Sequence, residues 1–155
     1  MKALIQRVAR AKVDIEGRTV SAVGRGQLIL LGVEKGDTVE EAAYLAKKAA
    51  NLRIFEDEAG KMNLDAKAIG GEFLVVSQFT LAGDTRRGNR PGFETAAAPE
   101  TARQLYEYFI DCLKQNGHPV ASGIFQTDMQ VELVNDGPVT FMLEKHPPRE
   151  DCNGK

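Results

Sequence analysis

The stretch that decides the fold is Gln27-Leu28-Ile29-Leu30-Leu31-Gly32-Val33, a continuous apolar run that comes directly after Gly26. Such a run, bounded by a turn residue, is typical of a strand buried on both faces. Glu72–Phe79, which contains Phe73-Leu74-Val75-Val76, has the same character. Both segments are therefore expected at the centre of a β-sheet.

Shorter strands are predicted on either side of this centre. Ala11–Ile15 alternates, Glu16-Gly17-Arg18 is a turn signal and Thr19–Val23 is strand-like, so a hairpin is expected over Val13–Val23. Similar patterns predict strands at Leu4–Val8, Arg53–Phe55, Val120–Phe125, Met129–Val134 and Val139–Leu143.

Two helices are predicted between these strands. Asp37 or Thr38 can cap a helix over roughly Val39–Asn51. Pro99 suits the first position of a second helix, which continues to about Gln115. Many short strands with two helices indicate an α+β domain.

The expected architecture is a single domain of two packed, largely antiparallel β-sheets with two helices on one side. The domain is predicted to span residues 1–145, and residues 146–155 to form a polar C-terminal tail. A chain of 155 residues is long enough for one such domain with a real core.

The composition excludes several classes of protein. Hydrophobic residues make up 43% and charged residues 27%, which is typical of a globular chain. The net charge of -2 gives no global basic footprint, so RNA would have to be met at a local site. Cys112 and Cys152 form no zinc-ligand spacing, and no cofactor motif is present. Without a signal peptide or a membrane-length apolar run, the cytoplasm is the expected location.

The first candidate for chemistry is Ser77-Gln78-Phe79-Thr80-Leu81, where a buried strand enters a long loop. Strand ends of this kind often carry functional residues. The ordinary alternative is that the hydroxyls of Ser77 and Thr80 simply bond to nearby backbone.

The second candidate is Asn135-Asp136-Gly137-Pro138-Val139-Thr140. Between two strand-like runs this segment is an ordinary β-turn signal. A Gly-Pro bond can also be cis at small cost, and a cis bond would redirect the neighbouring carbonyls.

The third candidate is a group of arginines, Arg86, Arg87 and Arg90, on a glycine-rich loop. Three cations there could hold phosphates, although a solvated surface loop is an equally simple interpretation. A conventional catalytic triad is harder to build, because His118 and His146 are the only histidines and no motif ties either to Ser77 or Thr80. If the protein is a hydrolase, its substrate is expected to supply part of the chemistry.

At these residues the sequence resembles the D-aminoacyl-tRNA deacylase family, from Met1 to about Leu143. Ser77–Leu81 is similar to the family's first signature and Asn135–Thr140 to its second. Arg90-Pro91-Gly92-Phe93 with Ala96-Ala97-Ala98-Pro99 resembles the segment between them. Together, in this order and in a chain of this length, the motifs are specific.

The resemblance implies a homodimer with active sites at the subunit interface. Ser77, Gln78, Phe79 and Thr80 would line the pocket for the aminoacyl group and the terminal adenosine, and Met129 would support its wall. A cis peptide between Gly137 and Pro138 would enter the partner's site and reject L-amino acids. The implied reaction cleaves the ester of D-aminoacyl-tRNA to free D-amino acid and tRNA, relying on the substrate's 2′-hydroxyl. Glycyl-tRNA(Ala) would be cleared as well.

Three classes of function remain open on the residues alone. The favoured class is a tRNA-editing esterase. The second is a hydrolase that uses Thr80 or Ser77 as nucleophile, which a covalent acyl-enzyme would reveal. The third is a non-catalytic RNA-binding module that uses the Arg86–Arg90 loop. The low aromatic content of 6% argues against this third class, because it leaves few side chains for base stacking.

Overall fold

The computed structural model describes residues 1–149. It contains eight strands and two α-helices. In chain order they are β1 (Lys2–Ile15), β2 (Arg18–Val23), β3 (Gly26–Gly32), α1 (Val39–Asn51), β4 (Phe55–Glu56), β5 (Met62–Leu64), β6 (Glu72–Ser77), α2 (Pro99–Gln115), β7 (Val120–Ser122) and β8 (Gln130–Glu144).

Six strands form one mixed sheet. Its order is β2-β1-β3-β6-β7, with β8 paired to β1, while β4 and β5 make a separate two-stranded sheet. Pairings of β1 with β2, β3 and β8 are antiparallel, and β6 is parallel to both β3 and β7. Parallel neighbours need a crossover connection, and α1 and α2 lie in the two crossovers. The predicted α+β class is confirmed, with a mixed main sheet.

Both faces of this sheet are covered. One core lies between the sheet and the two helices, and it includes Ile29, Phe73, Leu45 and Phe109. A second core on the opposite face joins residues of β1 and β2 to residues of β3 and β6. There β2 crosses over β7, and the Ser21 hydroxyl donates to a β7 carbonyl at 2.5 Å. The two expected layers are therefore halves of one sheet that folds over itself.

Local signals place the hairpin and the first helix as expected. Glu16 and Gly17, with φ of 49° and 78°, form the turn between β1 and β2. Thr38 is the N-cap of α1: its hydroxyl accepts from the Glu40 amide, and the Glu41 carboxylate accepts from the Thr38 amide at 2.7 Å. Asp37, the alternative cap, instead lies 2.8 Å from the Met1 ammonium.

The turn predicted at Asn135–Thr140 is wrong in one respect, because the chain does not reverse there. The two flanking strand predictions belong to one strand, β8, which pairs with β1 on both sides of the segment. Gln6 lies opposite Thr140 and Val8 opposite Asn135, so residues 136–139 bulge out of the ladder. The 14-residue β1 is long enough to pair with both halves of β8.

The chain continues beyond β8 without further strands or helices up to residue 149. The Lys145 amide donates to the Met1 carbonyl, which fastens the end of β8 beside the start of β1. The rest of the predicted tail, including Cys152, lies outside the described residues, and the boundary at residue 145 stays a prediction. Within residues 1–149, neither helix is long and apolar enough to cross a membrane.

Candidate active site

A cleft of about 650 Å³ opens at the carboxyl end of β6, beside the start of α2. Parallel strands such as β3 and β6 commonly present ligand sites at their carboxyl ends. We call this space the cleft. It is lined by Val33, Val76, Ser77, Gln78, Phe79, Ala96, Ala97, Pro99, Ala102, Phe125, Gln126, Thr127, Asp128, Met129 and Val131.

The first wall of the cleft is the signature segment at the end of β6. Ser77 is the last residue of the strand, and a 3-10 turn follows over Phe79–Ala82. The Gln78 amide donates to the Leu31 carbonyl at 2.8 Å, which continues the β3–β6 pairing. The Gln78 side chain donates to the Thr80 hydroxyl. Thr80 therefore lies just behind the lining and contacts it through Gln78.

The ring of Phe79 is unusually exposed for its size, at 57%. Its edge packs on Phe93 at a centroid distance of 5.1 Å. In the part of the chain that the structure describes, neither the Phe79 nor the Thr80 amide donates to a protein acceptor. The Phe79 amide is therefore a free backbone donor in the lining of the cleft, and the Thr80 amide is a second free donor just behind it.

The second wall is the segment 125–129, which connects β7 to β8. Met129 packs closely here, since a Cβ on Gly123 would lie 2.7 Å from its sulfur. Gln126 has a φ of 56°, a left-handed conformation that is uncommon outside glycine and often marks functional segments. Met129 was predicted to support this wall, but Phe125–Asp128 were not predicted, because their local pattern offers no signal beyond a strand end.

A buried hydrogen bond joins the two elements that flank the cleft, α2 and β6. The Tyr106 hydroxyl of α2 donates to the Val75 carbonyl of β6 at 2.9 Å. Burial raises the pKa of Tyr106 to about 12, so the phenol stays neutral and keeps donating at any physiological pH. This bond fixes α2 against the strand that ends in Ser77.

Titratable groups are scarce at this site. Asp128 is the single charged residue among those that line the cleft, and neither His118 nor His146 belongs to them. The hydroxyls of Ser77 and Thr80 consequently have no imidazole beside them to act as a base. The arrangement can orient a substrate and stabilise an oxyanion through backbone amides, but it offers no triad.

Gly137 and Pro138 are exposed, joined by a cis peptide bond, and remote from the cleft of their own chain. The Arg7 guanidinium, 6% exposed, holds their segment. Its Nε donates to the Asp136 carbonyl at 3.0 Å and its Nη1 to the Ile54 carbonyl at 2.8 Å. Arg7 packs so closely that a Cβ on Gly137 would lie 2.6 Å from its Nη2.

The three predicted phosphate-binding arginines lie on an exposed loop between Asp84 and Gly92, which pair with each other. Arg86 bonds to Asp84 at 2.7 Å, and this contact holds the pKa of the Asp84 carboxyl well below its usual range. Arg87 and Arg90 form no ion pair with any described residue. The loop leads into Phe93, which packs on Phe79, so it begins and ends close to the cleft.

The family model described as D-Tyr-tRNA(Tyr) deacylase matches residues 4–144 of this chain. The chain belongs to this family. A D-aminoacyl-tRNA deacylase of Geobacter sulfurreducens is 60% identical over 144 residues, covering 93% of this chain and 95% of the relative. One of Geotalea uraniireducens is 63% identical over 150 residues, 97% of each chain. The family membership predicted from the two signatures is confirmed, and with it the class of hydrolase.

Solved structures share the fold of this chain. A protein described as c-Myc DNA Unwinding Element Binding Protein superposes with a TM-score of 0.90 at 42% identity, covering 95% of this deacylase-family chain and all of its own. A structure described as a "probable eukaryotic D-amino acid tRNA deacylase" gives a TM-score of 0.76 at 17% identity, covering 92% and 97%. At that identity the second likeness concerns the fold alone.

Proposed function

We propose that this protein hydrolyses the ester bond of D-aminoacyl-tRNA, releasing free D-amino acid and tRNA. The observation that carries the proposal is the cleft at the end of β6, which brings Ser77, Gln78, Phe79 and Met129 together in a member of the deacylase family. Its lining combines apolar residues, which suit an aminoacyl side chain or an adenine, with polar residues such as Ser77 and Gln78.

The proposed chemistry relies on positioning. The aminoacyl ester sits on the terminal ribose, whose neighbouring hydroxyl can activate a water molecule. The water attacks the carbonyl carbon, the bond from that carbon to the ribose oxygen breaks, and the ribose oxygen takes up the proton. The free amides of Phe79 and Thr80 would donate to the oxyanion that develops. The cleft contains no histidine, lysine or arginine, which is compatible with a reaction in which the substrate supplies the reactive hydroxyl and the protein positions it.

The proposed active unit is a homodimer. Gly137 lies beside Arg7, which pairs with Gln27 near the start of β3, whereas the cleft lies beyond the end of that strand. The six residue-to-residue steps from Gln27 to Val33 span roughly 20 Å, so Gly137-Pro138 does not reach the cleft of its own chain. A second copy, related by a two-fold axis, would bring it there.

The surface around this segment fits such an interface. Strand β8 has β1 as its one partner among the described strands, so its other edge is open. Val134, Phe141 and Met142 on β8 are 37%, 40% and 45% exposed. Open edges and exposed apolar residues are usually covered in the functional assembly.

The proposed role of Gly137-Pro138 is to reject L-amino acids. D- and L-esters carry the same groups, so a rigid wall at a fixed place must separate them. Arg7 fixes this wall from behind. An L side chain would clash with the wall, whereas glycine has no side chain to clash, so glycyl-tRNA(Ala) is a second proposed substrate.

The proposed location of the enzyme is the cytoplasm, where its aminoacyl-tRNA substrates are. The proposed role of Arg86, Arg87 and Arg90 is to bind phosphates near the 3′ end of the tRNA.

The test compares matched D- and L-aminoacyl-tRNA, each with a ribose or a 2′-deoxyribose at the terminus. Rapid cleavage of the D-ester, none of the L-ester and strong loss with the deoxy substrate are expected. Thr80→Ala should keep substantial turnover. If the deoxy substrate reacts normally while Thr80→Ala is inactive and an acyl-enzyme is trapped, the protein nucleophile is the correct mechanism.

Shared sites are tested with hybrid dimers. Gln78→Ala damages the cleft and Pro138→Ala damages the inserted segment, so each homodimer should be weakly active. Mixing them should restore activity, because one site of each hybrid contains neither change. Subunit exchange is verified by mass spectrometry, and exchange without recovery would contradict the interface site.

A further inference from the structure

A second polar cavity lies at the opposite end of α2 from the cleft. Its volume is about 380 Å³, and it is formed where α1 ends, where α2 ends and where the segment after β5 passes between them. The polar residues that line it are Lys47, Asn51, Asp65, Lys67, Asn116 and His118. None of these belongs to the cleft or to the Gly137-Pro138 segment.

The donors in this cavity greatly outnumber the acceptors. Lys47 and Lys67 form no ion pair with any residue between 1 and 149, and the side chains of Asn51, Asn116 and His118 form no hydrogen bond there. Asp65 is the one acidic residue in the lining, and its Oδ1 accepts from the Ala68 amide. Two ammonium groups, two carboxamides and an imidazole therefore line one cavity with unused donor capacity.

The end of α2 does not compete for these cations. The negative end of a helix dipole usually attracts lysine, which is the ordinary explanation for basic residues near a C-terminus. At the end of α2, however, the last carbonyls are already paired: Cys112 with the Asn116 amide, Lys114 with the Gly117 amide and Leu113 with the His118 amide. The α2 terminus therefore presents capped carbonyls to the cavity.

His118 is held in a defined place beside the two lysines. Its ring packs edge-on against Phe73 with centroids 5.1 Å apart. Burial and the nearby Lys67 ammonium lower the pKa of His118, while Asp65 opposes the shift. A bound anion would reverse the effect of Lys67 and favour protonated imidazole, which adds one more charged donor.

We propose that this cavity, lined by Lys47, Lys67, His118 and the carboxamides of Asn51 and Asn116, binds a phosphate group. Lysine acts as a point charge toward phosphate, and carboxamide and imidazole N–H groups complete the shell of donors. The phosphate belongs either to a phosphodiester of bound RNA or to a free phosphorylated small molecule. The cavity and the cleft lie at opposite ends of α2, whose 17 residues span roughly 25 Å.

The first arm of the test uses inorganic phosphate and needs no enzymatic activity. The ring Cε1–H signals of the two histidines are followed by NMR during a phosphate titration at constant pH and ionic strength. His118 should shift and saturate while His146 stays constant. Lys47→Ala and Lys67→Ala should each weaken binding about tenfold. Lys48 is exposed on the same helix as Lys47 but lies outside the cavity, so Lys48→Ala should leave phosphate binding unchanged.

The second arm distinguishes the two sources and rests on the proposed function. A Lys47→Ala/Lys67→Ala variant that raises KM for D-aminoacyl-tRNA at constant kcat, and flattens its salt dependence, would identify an RNA phosphodiester. Unchanged deacylation with lost phosphate binding would identify a small phosphorylated ligand. A linear, unsaturable His118 shift, or equal shifts in the wild type and the lysine variants, would overturn the site. Failure of deacylation in the wild type would count against the proposed function alone.

Discussion

Arg7→Met removes the guanidinium that holds the Gly137-Pro138 segment while keeping an apolar stem of similar length. Arg7 lies in the middle of β1 and is 6% exposed. Its two hydrogen bonds reach carbonyls on different parts of the chain, Asp136 in the bulge of β8 and Ile54 before β4. The substitution therefore releases the bulge without opening a large cavity.

The expected cost follows from these two bonds. A hydrogen bond with a charged donor contributes about 1.5–3 kcal/mol, so two of them amount to about 3 kcal/mol or more. The ion pair with Asp136 adds little, because its atoms are 3.6 Å apart and the carboxylate is 52% exposed. Methionine recovers part of the loss, since it carries no charge that must be desolvated. We expect the free energy of unfolding to fall by about 3 kcal/mol.

Activity should fall more than stability alone explains. A displacement of the proposed chiral wall by about 1 Å can cost a factor of about 100 in rate. Urea unfolding and kcat/KM for D- and L-aminoacyl-tRNA are measured for Arg7→Met and for Arg10→Met, an exposed arginine on the same strand. If both variants keep wild-type stability, rate and chiral selectivity, Arg7 does not position the segment.

Two further predictions concern stability. Asp37→Asn removes the carboxylate that lies 2.8 Å from the fully buried Met1 ammonium, so the free energy of unfolding should fall by about 3 kcal/mol. Glu94→Gln, at an exposed site, is the control. Equal urea midpoints for the two variants would contradict a stabilising ion pair. Burial acts to raise the pKa of Glu41, but hydrogen bonds from Thr38 outweigh it and lower that pKa. The ionised Glu41 carboxylate therefore stabilises the folded state fully above its unfolded pKa of about 4.5, and this stabilisation is lost as the pH falls through the lower pKa of the folded state. Glu41→Gln should accordingly reduce the dependence of the free energy of unfolding on pH in the acid range.

The elements with strong local signals were predicted closely. The second helix begins at Pro99 and ends at Gln115 as expected, because proline at the first position and a glycine after the last turn mark its ends. The hairpin of β1 and β2 follows from the turn at Glu16-Gly17. In each case a few neighbouring residues determine the backbone.

The strand order required information that no local pattern carries. The expectation of largely antiparallel pairing is confirmed, since β1 pairs antiparallel with β2, β3 and β8, and β4 with β5. No local pattern predicts the two parallel pairings, of β6 with β3 and with β7, although α1 and α2 lie between those strands. The continuous β8 was missed for a related reason. Asn135–Thr140 carries turn residues, but whether the chain reverses there depends on β1, which pairs with both flanking halves.

The candidate site was predicted on one wall and missed on the other. Ser77–Thr80 was identified because the family motif is contiguous. Phe125–Asp128 reaches the cleft through packing against β6 and α2, so nothing in its own sequence points to it. The left-handed conformation of Gln126 was not predicted either, because glutamine has no intrinsic preference for it.

A cleft with so few titratable groups implies a particular pattern of sensitivity to mutation. Side chains that supply protons or electrons would be indispensable in a triad enzyme, but here the proposed reactive hydroxyl belongs to the substrate. What the protein contributes is the position of backbone amides and of a wall, and both are set by contacts such as Gln78 to Leu31 and Arg7 to Asp136. Changes that move backbone should therefore reduce the rate more than changes that delete the Ser77 or Thr80 hydroxyl.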